Sequence, residues 1–401
     1  MGRFQLAIAT ALTFVVKNTT AFTIGTPTGL AAGTTGGGNG TVVYPTTTAE
    51  LVKYLNASEP LVVVLNQTFD FRGTEDVIIQ GGNMETTGGC TGGTSVTVTY
   101  DNAPLKRMNV KGDKTIRGIG KKGVIIGKGL TLNGDNIILQ NIHITELNRH
   151  LVWGGDAIYM QGTDKGKTPM NKIWLDHIKV SRVGRQFLTT NKASASSMTI
   201  SNSDFDGETD YSATCDGHHY WSFIFYGENT RFSMLNNYIH ATSGRSPKIG
   251  GDSAANVVAH VANNYWGNNS GHSFEIGINA WVLAEGNYFS NTRMPLYTGK
   301  DGSFYAADGT DDCTKYLGRS CPANVMVNSG DFTSRDGLTA LEKIKSYPAM
   351  TSYTSGATQS SGSEQQSTQT TQSQQQQSFQ TSDLENEWAE TTTNFGVGKL
   401  D

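Results

Sequence analysis

The feature that most constrains this chain is a recurrence. Fragments that open on a polar residue and run on as a short strand-like stretch begin at Asn141 (NIHI), His177 (HIKV), Asn202 (NSDF), Asn237 (NYIH), Asn264 (NYWG) and Asn287 (NYFS), in steps of 36, 25, 35, 27 and 23 residues. Steps of that size fit coils that stack on one another. Stacking sets like residues above like, so an asparagine repeated at a turn hydrogen-bonds its counterpart one coil on and satisfies buried amide and backbone groups together. Strand candidates at residues 61–65, 95–100, 123–126, 136–144, 172–180, 197–200 and 257–261 include continuous apolar runs such as VII and IIL rather than alternating ones. That is the pattern of strands in a parallel sheet covered on both faces. The expectation is an all-β fold, a parallel β-helix with inserted loops, and such loops are where function concentrates. Only residues 49–55 and 338–346 read as helix.

Composition agrees. There are 47 glycines and 9 prolines in 401 residues, and 31 basic side chains stand against 35 acidic ones. This disfavours coiled coils, helical bundles and collagen, and the near balance leaves no electrostatic footprint for nucleic acid or an anionic membrane. A polar, weakly charged surface carrying glycine and aromatics suits a carbohydrate.

The ends differ from the middle. Residues 1–21 pair Arg3 with an apolar run too short to span a bilayer, which predicts a cleaved secretory signal. Residues 22–354 form the β-helical domain, 355–382 are nearly all Gln, Ser and Thr and predict a disordered tail, and 383–401 form an acidic end containing Trp388. Four cysteines, Cys90, Cys215, Cys313 and Cys321, suit an oxidising compartment, and three pairings are open. Cys313 and Cys321 are near enough to close a short loop, which leaves Cys90 for Cys215. Glycosylation sequons at Asn39, Asn56, Asn66 and Asn268 fit the same route.

Three segments carry charged groups beside glycines or turns: residues 153–158 (WGGDAI), 174–186 (WLDHIKVSRVGRQ) and 242–248 (TSGRSPK). Together with DYSATCDG at 210–217, HYW at 219–221, NNYW at 263–266, GHSFEIG at 271–277 and VLAEGN at 282–287, they resemble pectin lyases, in a superfamily shared with pectate lyases. The resemblance spans roughly residues 29–354. It implies a right-handed, single-stranded parallel β-helix that cleaves methyl-esterified homogalacturonan by endo-acting β-elimination. Carried over by position, it assigns Asp156, Arg185 and Arg245 as the catalytic trio, with Arg245 as the base. Trp153 and Trp221 match aromatics of the cleft, and Lys248, Arg182 and His219 are further candidates for contact with sugar.

The groups make chemical sense of that assignment. Removing the C5 proton needs a base, positive charge near the developing enolate, and walls for sugar rings. A methyl ester acidifies C5 without a metal, and residues 178–185 (IKVSRVGR) hold three cations and no acid where calcium would want carboxylates. No cofactor or metal is therefore expected, and pectin is the expected partner of a monomer. Two enzyme rivals stand beside this reading: a calcium-dependent pectate lyase, and a hydrolase built on Asp204, Asp206 and Asp210. A third is a catalytically dead β-helix that only binds polysaccharide. Residues 74–96 are short and lack tryptophan, so part of an aromatic wall is expected to be missing. His177 and Asp176 read as structural, and Tyr238, Tyr265 and Tyr288 as stacked core aromatics.

Overall fold

The computed structural model describes residues 23–83, 96–354 and 395–401. The signal, Cys90, the Gln/Ser/Thr stretch and Trp388 lie outside the described residues.

The chain winds into a parallel β-helix with three faces. Ten parallel strands make the first, from Thr41–Val43 and Leu61–Leu65 through Ile173–Asp176 to Ala280–Glu285 and Ser303–Ala306. The second runs Thr68–Asp70, Val124–Ile126, His143–Leu147, Lys179–Val183, Asp204–Asp206 and Tyr238–His240. The third runs Met108–Lys111, Leu130–Asn133, Ile158–Met160, Leu188–Thr190, Phe223–Phe225 and Lys248–Ile249. The long strand Tyr265–Ile276 turns the corner and belongs to both. Neighbouring rungs sit about 4.8 Å apart. Leucine, isoleucine, valine and phenylalanine from all three faces fill one core, with Phe187, Phe205, Phe223, Phe225 and Phe232 fully buried. Helices cover residues Thr48–Leu55 and Gly337–Ile344, close to expectation. Thr47 caps the first, accepting from the Glu50 N–H at 3.1 Å while the Glu50 carboxylate accepts from the Thr46 N–H at 2.7 Å.

The asparagine ladder is present, one residue out of step with the sequence alignment. Strand register pairs His143 with Lys179, Lys179 with Asp204, Asp204 with Tyr238, Tyr238 with Tyr265 and Tyr265 with Tyr288. Asn141, His177 and Asn202 therefore line up with Asn236, Asn263 and Gly286, and all six have positive φ between 49° and 60°. These are the corner residues, and asparagine is the side chain that best tolerates this left-handed geometry besides glycine. The ladder itself lies one position later. Asn237 Nδ2 donates to Asn264 Oδ1 at 2.9 Å, Asn264 to Asn287 at 3.0 Å and Asn287 to Asn324 at 2.9 Å. The same corners split residues 136–144 and 172–180 into two strands each.

Tyr238 and Tyr265 do stack, with ring centres 4.9 Å apart, and Tyr288 meets Tyr265 edge-on at 5.3 Å. They do so outside the barrel, because Ile239, Trp266 and Phe289 take the inward positions. The chain's last described segment packs against this outer face. Phe395 stacks on Tyr238, the Gly398 N–H donates to Asn141 Oδ1 at 2.7 Å, and Asp401 pairs with the buried Arg117 at 3.1 Å. Residues 395–401 are thus docked on the β-helix. Truncation after residue 394 is expected to cost about 2 kcal/mol, the worth of a hydrogen bond to a charged group, read as a lower denaturation midpoint.

Cys313 and Cys321 form a disulfide with Cα atoms 5.7 Å apart. Cys215 is also disulfide-bonded.

Candidate active site

The chemistry-bearing residues precede successive strands of the third face. Ile158 pairs with Leu188, Leu188 with Phe223, Ile224 with Lys248 and Lys248 with Glu275. Counting back from these pairs puts Asp156, Gln186, Trp221, Arg245 and His272 in one row, with Arg185 just before Gln186. Backbone bonds carry the ladder into the turns: Arg185 N–H donates to Gly155 O at 3.1 Å and Phe223 N–H to Arg245 O at 2.7 Å. Three rungs separate Asp156 from Arg245, roughly 14 Å of backbone, and the side chains between them belong to Arg185 and Trp221.

At one end Asp156 is held among cations. Its carboxylate accepts from Arg107 Nη1 at 3.2 Å and from the Gln186 N–H at 3.2 Å, and Arg185 Nε lies 4.0 Å away. Arg107 also lies over the Tyr159 ring, 4.5 Å from its centre. At the other end Arg245, itself at φ +52°, lies over Trp221 at 4.7 Å and Tyr220 at 5.5 Å. Its Nε is buried without a hydrogen-bond partner, and among the described residues it forms no ion pair. Arg245 is thus a partly covered guanidinium on an aromatic floor, in contrast to Arg107 and Arg185 with their shared carboxylate.

The other candidates divide. Trp153 lies near the Asp156 end, packed edge-on against Tyr100 at 4.7 Å. Tyr100 comes from the hairpin of strands Val77–Asn83 and Val96–Asp101, so this side carries an aromatic pair even without a tryptophan in the loop. Lys248 lies on the outward floor with Thr189 and Ile224. Arg182 is elsewhere: it bonds Glu146 at 2.7 Å on the second face, in a surface network with Arg149 and Asp210. His219 is 5% exposed, and its Nε2–H points at the carbonyls of Arg185 (2.7 Å) and Trp221 (3.0 Å). It therefore ties two turns of the row together from behind, and does not reach the cleft surface. Asp204 and Asp206 both pair with Lys179 on the second face, away from the row. Asp176 is buried and accepts from Gln140, Ser201 and Asn202, in keeping with a structural role.

Burial pushes His219 down to about 4, against the opposing pull of its two carbonyl partners. An imidazole whose folded pKa lies below its unfolded value near 6.5 takes up its proton first in the unfolded chain. Stability from this group is complete above pH 6.5 and falls towards pH 4, by about 1.4 kcal/mol per pH unit. Denaturation midpoints measured across that window should slope downward with acid in the parent and flatten in His219→Gln.

The structure adds Arg107, Tyr159 and Tyr100 to the site, and the strand register picks His272 and Glu275 out of the 271–277 segment. Among the described residues, no group of three or more His, Cys, Asp or Glu is arranged to hold a metal ion.

A family model described as pectate lyase matches residues 4–378. The chain belongs to the pectate lyase family. It is 48% identical over 335 residues to the "Probable pectin lyase F" of Aspergillus flavus, covering 78% of this chain and 76% of that one. It is 42% identical over 367 residues to the "Probable pectin lyase A" of Aspergillus clavatus, covering 86% and 94%. Among solved structures, a pectate lyase from Bacillus sp. N165 in complex with trigalacturonate aligns with a TM-score of 0.56 at 18% identity, covering 94% of this chain and all of that one. That likeness establishes the β-helix. The relatives establish a polysaccharide lyase of the pectin lyase kind, and the row from Asp156 to Arg245 is this lyase's candidate active site.

Proposed function

We propose that this lyase is secreted and cleaves methyl-esterified homogalacturonan internally, by β-elimination without calcium, with Arg245 as general base. One observation carries the reading: Arg245 lies over Trp221 with no ion pair among the described residues, in the same row as Asp156 and next to the position of Arg185. A guanidinium normally stays protonated far above neutral pH. A base in this position has to lack an anionic partner, and Arg245 has none among the described residues, resting instead on aromatic faces.

In the step itself, Arg245 takes the C5 proton. The electron pair closes the C4–C5 double bond, and the C4–O4 bond breaks, O4 leaving on the departing chain as a hydroxyl after taking a proton from water while Arg245 returns its own to solvent. Arg185 supplies positive charge for the C6 carbonyl oxygen as the enolate builds. Asp156, paired to Arg107 and Arg185, keeps those two cations in place. That same pairing makes a poor calcium site, since calcium needs six to eight oxygen ligands.

Secretion is supported by the leading segment and by the four sequon asparagines, all of which are exposed. The test is incubation with highly methylated pectin while following the ultraviolet absorbance of the unsaturated product. Product formation that persists in excess chelator supports the reading. Loss with chelator returns the pectate reading, and new reducing ends without absorbance mean hydrolysis.

A further inference from the structure

From the coil of Arg245 onward the cleft floor changes character. Going outward along the third face from Asp156, the outward positions on the central rungs are Thr189 and Ile224, uncharged and almost covered at 8% and 9% exposure. The next two are Lys248 and Glu275. Glu275 is buried, and three groups converge on it: Lys248 Nζ at 2.8 Å, His272 Nε2 at 3.3 Å and Lys300 Nζ at 3.9 Å. Burial alone would raise the Glu275 carboxyl, but hydrogen bonds from His272 and Lys248 outweigh it and hold it down at about 2. The carboxylate is thus taken up by its neighbours. Two ammonium groups therefore face one carboxylate, with the exposed Asp301 next to Lys300 in the chain. Lys300 is the most exposed of the set, and at 3.9 Å its ammonium is beyond hydrogen-bond range of Glu275, so its donors are open. Tyr226 lies beneath Lys248 at 5.9 Å, and Tyr297 lies against His272 at 5.0 Å, giving the patch aromatic surfaces for a sugar ring.

We propose that Lys248 and Lys300, mounted on Glu275, form a subsite for the free carboxylate of a non-esterified galacturonate unit, one position beyond the deprotonated sugar on the side away from Asp156. This rests on the function proposed above. The neutral floor at Thr189 and Ile224 suits an ester, and the cationic end suits a uronate. The lyase would then read a mixed pattern of methylation, with an ester where the bond breaks and an acid beside it.

The test compares the parent with Lys300→Met on two pectins of matched length, one fully methylated and one about two-thirds methylated at random. The loss in kcat/KM should be about fivefold larger on the partly methylated pectin, the upper range for one exposed ion pair, should reside in KM, and should shrink with added salt. Equal effects on both pectins, or none, overturn the subsite. A second measurement, titration of trigalacturonate into each protein, should show weaker, less salt-sensitive binding to Lys300→Met; equal binding also overturns it. If the parent makes no unsaturated product from either pectin, the proposed function fails, and the trigalacturonate titration still judges the subsite on its own.

Discussion

Replacing Arg245 with alanine should lower kcat on methylated pectin by about a thousandfold, within the range for losing a general base, with KM little changed. The guanidinium sits over Trp221 and makes no ion pair among the described residues, so its removal leaves no charge orphaned. Circular dichroism and the denaturation midpoint should therefore match the parent. Arg245→Lys should be nearly as slow, because an ammonium cannot spread over two aromatic faces as the planar group does. Initial rates of product absorbance decide the matter, and a rate within tenfold of the parent would remove Arg245 from the role of base.

The largest effect on stability is expected far from the cleft. Glu285 and His260 are both fully buried on the first face, with Nε2–H of His260 donating to Glu285 at 2.6 Å. Arg319 closes the group with two bonds to the same carboxylate, at 2.7 and 2.5 Å, and donates also to the Met350 carbonyl. Tyr353 covers both, edge-on to His260 and over Arg319. This network fastens the segment after residue 318 onto the β-helix. Glu285→Ala leaves Arg319 and His260 facing a buried hole, and breaking a buried pair in this way costs about 3–5 kcal/mol. Burial would raise the Glu285 carboxyl, yet its bonds from His260 and Arg319 hold it below the ordinary value of 4.5. A depressed carboxyl stabilises the fold above its unfolded pKa, and that contribution fades as pH drops below about 4.5 through the folded value. Thermal midpoints of parent and variant should accordingly converge in strong acid.

Much of this was legible in the sequence because a stacked fold repeats its chemistry. The fragments led by asparagine pointed to coils, and their apolar runs to covered parallel strands. The alignment slipped by one because asparagine serves in two places, at the left-handed corner (Asn141, Asn202, Asn236, Asn263) and in the ladder (Asn237, Asn264, Asn287), and composition cannot tell the two apart. The motifs were enough to bring Asp156, Arg185 and Arg245 together as candidates, whereas Arg107 had no motif: it sits in an ordinary basic stretch, 49 residues from the aspartate it bonds. Arg182 and His219 show the reverse limit. Both lie close in sequence to true row positions, but one side chain leaves for another face and the other turns inward. Orientation at a corner depends on a single dihedral, which no motif records.

Because Asp156, Arg185, Trp221 and Arg245 are each mounted on a different coil, their spacing is a property of the backbone stack and cannot drift gradually. Evolution or design can alter it only by gaining or losing a whole turn. A graft that deletes the coil bearing Trp221 would bring the two ends one rung closer, and a polymer laid along the axis would be out of phase with its cutting point by about one monomer. Variation in where such an enzyme cuts should therefore come in discrete jumps, with side-chain changes tuning only how tightly each position grips.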